Sequence, residues 1–191
     1  MKFIPTKLAD ACLVELEAFS DDRGWFARAF CKKEFEQIGH RKEWVQINHS
    51  MSREKGTIRG MHFQYPPHNE AKLVRCIAGK VFDVALDIRR GSPTFLQWVG
   101  FELSAANRRM LYIPEGFAHG FQTLTDDVEL IYHHSAYYTP DAEGGLRFDD
   151  PALGIEWPLP AGNISVKDQN RAFLTDAFQG IEVPADQEVM K

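Results

Sequence analysis

The chain is short of several things, and each shortage closes off a class of protein. Its three cysteines, Cys12, Cys31 and Cys76, are odd in number and match no metal-binding or redox spacing. Reduced thiols in the cytosol are the economical expectation. Positive charge is not in excess: the formal net charge is −5, so no global field draws nucleic acid. An anionic substrate must therefore be held by local Arg and Lys. No apolar run is long enough to span a membrane, and Met1-Lys2-Phe3-Ile4-Pro5 does not open a cleavable leader. Repeats, low-complexity tracts and linkers are lacking too. The expectation is a soluble, cytoplasmic chain forming one domain over residues 1–191, with neither a nucleic-acid nor a membrane partner.

Helix signals are also scarce. One short helix is expected over residues 32–38, ended by Gly39, and another over 168–178. Residues 184–191 look like a loose polar tail. Strand signals are plentiful. Apolar and charged residues alternate over 72–77, and Gly79-Lys80 reads as a hairpin turn. Over 81–88, Phe82, Val84, Leu86 and Ile88 share one face, while Asp83 and Asp87 share the other with Val81 and Ala85. After a turn at Gly91-Ser92-Pro93, residues 95–103, 109–113, 120–124 and 128–132 continue the pattern. With 44% hydrophobic residues, including 14 Phe and 4 Trp, the core is well supplied. Short strands at this spacing predict an antiparallel sandwich or barrel, an all-β class.

Chemistry concentrates in four places. In Ile58-Arg59-Gly60-Met61-His62-Phe63-Gln64 a guanidinium and an imidazole flank a glycine, and Lys72 follows in the next apolar stretch. Arg holds phosphate, His exchanges a proton near neutral pH, and Lys stabilises an oxyanion. Regular pleating would put Arg59 and His62 on opposite faces, so a bulge at Gly60 is needed to bring them together. Ile113-Pro114-Glu115-Gly116-Phe117-Ala118-His119-Gly120 reads as strand, turn, strand, and its Pro-x-Gly-x-x-His is also the second metal motif of cupin barrels. The first such motif needs His-x-His, but here His62-Phe63-Gln64 offers an amide in place of the second imidazole. No metal is expected, although His68, Glu70 and His119 keep a metal-dependent cupin as an alternative. Glu129-Leu130-Ile131-Tyr132-His133-His134, followed by Tyr137-Tyr138, supplies phenols able to act as acid or to stack on a base. Asp168 in Ser165-Val166-Lys167-Asp168 is either an orienter of a histidine or a helix N-cap.

In this order and spacing, these segments resemble the dTDP-4-dehydrorhamnose 3,5-epimerase family. Asp22-Arg23-Gly24, Gln46-Ile47-Asn48-His49-Ser50, Lys72-Leu73-Val74, Val81-Phe82-Asp83-Val84, Ser92-Pro93-Thr94-Phe95 and Asp150-Pro151-Ala152-Leu153-Gly154-Ile155-Glu156-Trp157-Pro158 carry the likeness. It covers about residues 19–168, leaving 169–191 as an extension. The resemblance implies a jelly-roll, cupin-like barrel with a few short flanking helices, free of metal and cofactor. It implies a homodimer whose N-terminal segment helps build the partner's site. It also implies an epimerase that inverts C3, C5 or both in a nucleotide-linked 4-keto-6-deoxyhexose. His62 would be the base, oriented by Asp168, with Tyr132 the acid across the ring and Lys72 at the C4 oxygen. Arg23, Arg59, His119 and Lys167 would hold sugar or phosphate oxygens. Gln46, Asn48 and Glu143 would add contacts, and Tyr138 would stack on the base. The chemistry is consistent: a C4 ketone acidifies C3–H and C5–H, and reprotonating the enolate from the other face inverts the centre.

One departure stands out. Where the family has Glu near the nucleotide base, Arg23-Gly24-Trp25-Phe26-Ala27-Arg28 ends in Arg28. Glu accepts from thymine N3–H, whereas Arg only donates, which suits cytosine N3 and O2. A cytidine or other nucleotide handle is one alternative; the other is an Arg28 that turns outward or meets a phosphate. A non-catalytic sugar-nucleotide-binding barrel is a further alternative.

Overall fold

The computed structural model describes residues 1–183; the tail expected at 184–191 lies outside the described residues. Thirteen strands dominate: β1 (Lys2–Pro5), β2 (Cys12–Glu15), β3 (Phe19–Asp21), β4 (Gly24–Phe26), β5 (Gln46–Ser52), β6 (Ile58–Gln64), β7 (Lys72–Ala78), β8 (Lys80–Asp87), β9 (Trp98–Ser104), β10 (Met110–Ile113), β11 (Phe117–Thr123), β12 (Val128–His134) and β13 (Glu143–Gly145). Two short helices, α1 (Lys32–Phe35) and α2 (Val166–Gln169), complete the elements that matter here. Six strands pair in the order β1-β2-β10-β7-β12-β5, five in the order β13-β6-β11-β8-β9, and β3-β4 form a separate hairpin. Among the described strands every pairing is antiparallel, as the alternation predicted, and the two larger sheets face each other as the jelly roll that the resemblance implied.

Side-chain parity explains the layering. On β7, Val74 and Cys76 point between the sheets, joined there by Leu13 and Leu111 and met by Val81, Ala85, Leu103, Phe117 and Phe121. Leu73, of opposite parity, packs outward under Phe35 of α1 with Met110 and Tyr112. On β8, Val84 and Leu86, with Ile88 just past its end, face away from the barrel interior and are covered by Leu153, Ile181, Trp157 and Phe178. Each such buried side chain contributes about 1.5–3 kcal/mol, so a one-residue slip that flips a strand is strongly disfavoured. The same register carries the polar residues of β6, β7, β11 and β12 to one end of the interior.

Some expectations need correction. The helix at 168–178 is only Val166–Gln169; the chain leaves it at Asn170 and runs on without helix, placing Leu174 and Phe178 on the sheet. Burying those two apolar side chains outweighs extending a short surface helix. Ser165, not Asp168, is the N-cap, its hydroxyl accepting from the Asp168 amide. The first helix is α-helical only to Phe35 and tightens to a 3₁₀ turn over Glu36–Ile38, ending at Gly39 with φ 81°. The strand expected from 95 begins at Trp98, because Ser92 and Thr94 fold a turn around the Asp87 carboxylate.

Candidate active site

One cavity of about 900 Å³ opens between the sheets. The five-stranded sheet contributes Arg59 and His62 from β6 and His119 from β11; the six-stranded sheet contributes Lys72 from β7 and Tyr132 and His134 from β12. Asp168 and Lys167 close it from α2, with Tyr138 and Glu143 also on its wall.

The bulge required at Gly60 is present. His119 pairs with His62 and Phe121 with Arg59, so Gly60 and Met61 together oppose Gly120 alone. Gly60 has φ 136°, and a Cβ there would lie 2.4 Å from the Gly120 Cα, so glycine is demanded twice over. Met61 keeps to the outer core while Arg59 and His62 both reach the cavity. Arg59 donates to Ser52 Oγ at 3.1 Å and to the Met51 carbonyl at 3.0 Å.

His62 Nε2 lies 2.7 Å from Asp168 Oδ1. Burial opposes ionisation of Asp168, but the hydrogen bond and charge of His62, with help from Ser165 and the Gly60 amide, hold its carboxyl below the usual range. Such a partner fixes the imidazole and leaves its other nitrogen to the cavity. Tyr132, from the opposite wall, has its phenol 2.8 Å from Ser50 Oγ. Burial pushes its pKa up, so it keeps its proton and is suited to donate it. Lys72 Nζ is buried 3.1 Å from Glu70 Oε1 and donates to the His62 carbonyl at 3.3 Å.

His119 has its own carboxylate, Asp83 Oδ1, at 2.8 Å, both groups nearly fully buried. At the mouth, Glu143 is gripped by Lys167 and Arg171, each at 2.7 Å, and accepts from the Tyr138 hydroxyl at 2.8 Å. Gln46 stands behind the wall, donating to Asn48 Oδ1 and accepting from the Tyr138 amide, both at 3.0 Å. Arg23 and Arg28 are not part of this cavity: Arg23 pairs with Asp21, and Arg28, 64% exposed, pairs with Glu34. Among the described residues no three His, Cys, Asp or Glu side chains converge to hold a metal ion.

Several groups lining or backing the cavity were not among the candidate site residues. Asp83 carried a signal, an aspartate on the same face as Val81 and Ala85. His134 carried one too, since adjacent His133 and His134 must face opposite ways; His134 reaches the cavity and His133 packs by Trp44. Burial, with Lys72 nearby, lowers the His134 pKa to about 3, so it is neutral in the resting cavity. Ser50 had no local signal, because its partner Tyr132 comes from another strand; from the sequence Glu70 reads only as a possible metal ligand, and its pairing with Lys72, two residues on, goes unread.

A jelly-roll barrel with a carboxylate-oriented histidine on one wall and a phenol and an ammonium on the other defines a cupin-like protein built for proton transfer. A model of the dTDP-4-dehydrorhamnose 3,5-epimerase family matches residues 5–176. The Shigella flexneri dTDP-4-dehydrorhamnose 3,5-epimerase is 47% identical over 178 residues, covering 93% of this chain and 98% of that one. The Bacillus anthracis dTDP-4-dehydrorhamnose 3,5-epimerase, solved with TDP and PPi bound, superposes with a TM-score of 0.87 at 43% identity, covering 91% and 99% of the two chains. The Legionella pneumophila dTDP-6-deoxy-D-glucose-3,5-epimerase, in complex with dTDP-4-keto-L-rhamnose, gives 0.89 at 40% identity, covering 96% and 99%. The chain belongs to the dTDP-4-dehydrorhamnose 3,5-epimerase family. It is an isomerase, an epimerase of nucleotide-linked 4-keto-6-deoxyhexoses.

Proposed function

We propose that the cavity inverts C3 and C5 of a dTDP-linked 4-keto-6-deoxyglucose, and that the roles divide by wall. His62, steadied by Asp168, removes the proton from one face of the sugar. Lys72 carries the C4 oxygen as it becomes an enolate, and Tyr132 returns a proton from the other face. Arg59, His119 and Lys167 supply cationic or donor groups for the diphosphate and sugar oxygens. Gln46, Asn48, Glu143 and Tyr138 shape the nucleotide end. The observation that carries this reading is that His62 with its carboxylate and the phenol of Tyr132 enter one cavity from opposite sheets. Inversion requires a base and an acid on opposite faces of the ring.

The reading includes a homodimer of single-domain chains. The β3-β4 hairpin exposes Phe19, Trp25 and Phe26, and edge strand β5 exposes Ile47 and Met51. These apolar groups, with Arg23 and Arg28 nearby in sequence, suit a segment that reaches a second copy and its cavity. The three unpaired cysteines agree with a cytoplasmic setting, and no helix among the described residues is long and apolar enough to cross a membrane.

Proton NMR of dTDP- and CDP-linked 4-keto-6-deoxyglucose in D₂O with enzyme tests the substrate. Deuterium is expected at C3 and C5 of the dTDP sugar. Preferred turnover of the CDP sugar would reassign the handle and give Arg28 a part in base recognition; no exchange into either would leave a binder.

A further inference from the structure

Gln64 and Glu70 sit against the cavity, yet the mechanism above uses neither. Both are buried, at 5% and 8% exposure. Glu70 Oε1 faces the Lys72 ammonium at 3.1 Å, while Glu70 Oε2 accepts from Gln64 Nε2. The Gln64 amide is pinned from the other side: its Oε1 accepts from the Thr139 amide at 2.6 Å, and its Nε2 also donates to the His68 carbonyl at 2.8 Å and the Tyr137 carbonyl at 3.2 Å. That orientation allows only an acceptor opposite Nε2, and Glu70 supplies it. A continuous hydrogen-bonded chain therefore runs from buried Lys72, Glu70 and Gln64 out to residues 137–139, whose middle member is Tyr138 at the cavity mouth.

We propose that Glu70 is a positioning residue for Lys72, fixing its ammonium in the cavity and tying it through Gln64 to the segment that carries Tyr138. The inference rests on the role given to Lys72 above. A buried ammonium favours its neutral form unless an anion stands beside it. The other groups facing Lys72 are the His62 carbonyl on β6 and the neutral His134, its register partner on β12. Glu70 thus supplies the countercharge of the lysine and sets its direction. Its second oxygen is engaged by Gln64, so part of its hydrogen-bonding capacity is drawn away from the ammonium and the lysine can still turn to a substrate oxygen.

The test compares Glu70→Gln, Glu70→Asp and Lys72→Met on dTDP-4-keto-6-deoxyglucose, with dTDP binding by calorimetry as the check on folding. Glu70→Gln removes the charge at nearly constant size. It is expected to lower kcat by about tenfold or more with KM nearly unchanged, and to move the alkaline limb of the kcat profile to lower pH. Glu70→Asp keeps the charge but falls one methylene short, so kcat drops while the alkaline limb stays. Wild-type kcat and limb position in Glu70→Gln, with only a lower melting temperature, would reduce Glu70 to packing and overturn the proposal. Should Glu70→Gln fail to bind dTDP, a wild-type kcat in Glu70→Asp would overturn it equally. Full activity in Lys72→Met would instead remove the role of Lys72 itself, a separate outcome.

Discussion

Two histidines face each other across neighbouring strands, each with an aspartate, yet the proposed mechanism gives them different work. His62 and His119 are register partners on β6 and β11, with carboxylate oxygens at 2.7 and 2.8 Å. Their surroundings diverge. The His62 side chain is 39% exposed and that of His119 only 6%. Asp168 is fed by hydrogen bonds from Ser165 and the Gly60 amide, whereas Asp83 Oδ2 is buried without a hydrogen-bond partner. An accessible imidazole on a buried but well hydrogen-bonded carboxylate is placed to exchange a proton with a ligand. A sealed pair is a rigid donor, suited to hold an oxygen in place. Distance alone would make the two pairs equivalent; access separates them.

The contrast breaks most plainly at His62. His62→Ala is expected to cost about 10²–10⁴-fold in deuterium exchange while dTDP still binds. Tyr132→Phe comes next: inversion falls by about 10²-fold or more, but deuterium continues to enter from the His62 face with retained configuration, which NMR resolves. Asp168→Asn follows, with a loss of roughly tenfold or more that stays below the His62→Ala effect, because the base remains but loses its orienting anion. Asp83→Asn is expected to act on affinity, weakening dTDP binding about tenfold, or about 1.4 kcal/mol, with turnover of bound substrate little changed.

The smallest effect concerns His134, a third histidine without a carboxylate. Its folded pKa of about 3 lies below the ordinary 6.5, so between these values the unfolded chain binds a proton the native state refuses. Stability from this site is therefore present above about pH 6.5 and is lost as pH falls toward 3. His134→Gln should show a shallower drop in melting temperature from pH 7 to pH 4.5.

Much of this was legible in the sequence because strands advertise themselves by parity. The alternation over 72–77 and 81–88 set the layers, and the glycine between Arg59 and His62 required a bulge that the structure has. Pairs formed across the fold were not legible. Asp83 stands out as an aspartate on an apolar face, but its partner is illegible, since only the β8-β11 pairing brings it to His119. Glu70 reads as a loop carboxylate or a metal ligand, and only the fold brings Gln64 of β6 against the oxygen that Lys72 leaves free. The helix after Asp168 failed for a related reason, since the sheet surface that captures Leu174 and Phe178 is assembled from distant strands. Arg28 remains the instructive departure: in a single chain it binds Glu34, which in turn holds the Met1 ammonium.

The claim that access divides two otherwise equal histidines is tested most directly by single-turnover deuterium exchange from D₂O into saturating dTDP-4-keto-6-deoxyglucose, comparing His62→Ala with His119→Ala. The account predicts that His62→Ala takes up deuterium at C3 and C5 about 10²–10⁴-fold more slowly while still binding dTDP. His119→Ala should need more substrate to saturate yet exchange both positions. Exchange persisting at the wild-type rate in His62→Ala and vanishing in saturated His119→Ala would reverse the assignment and contradict the account.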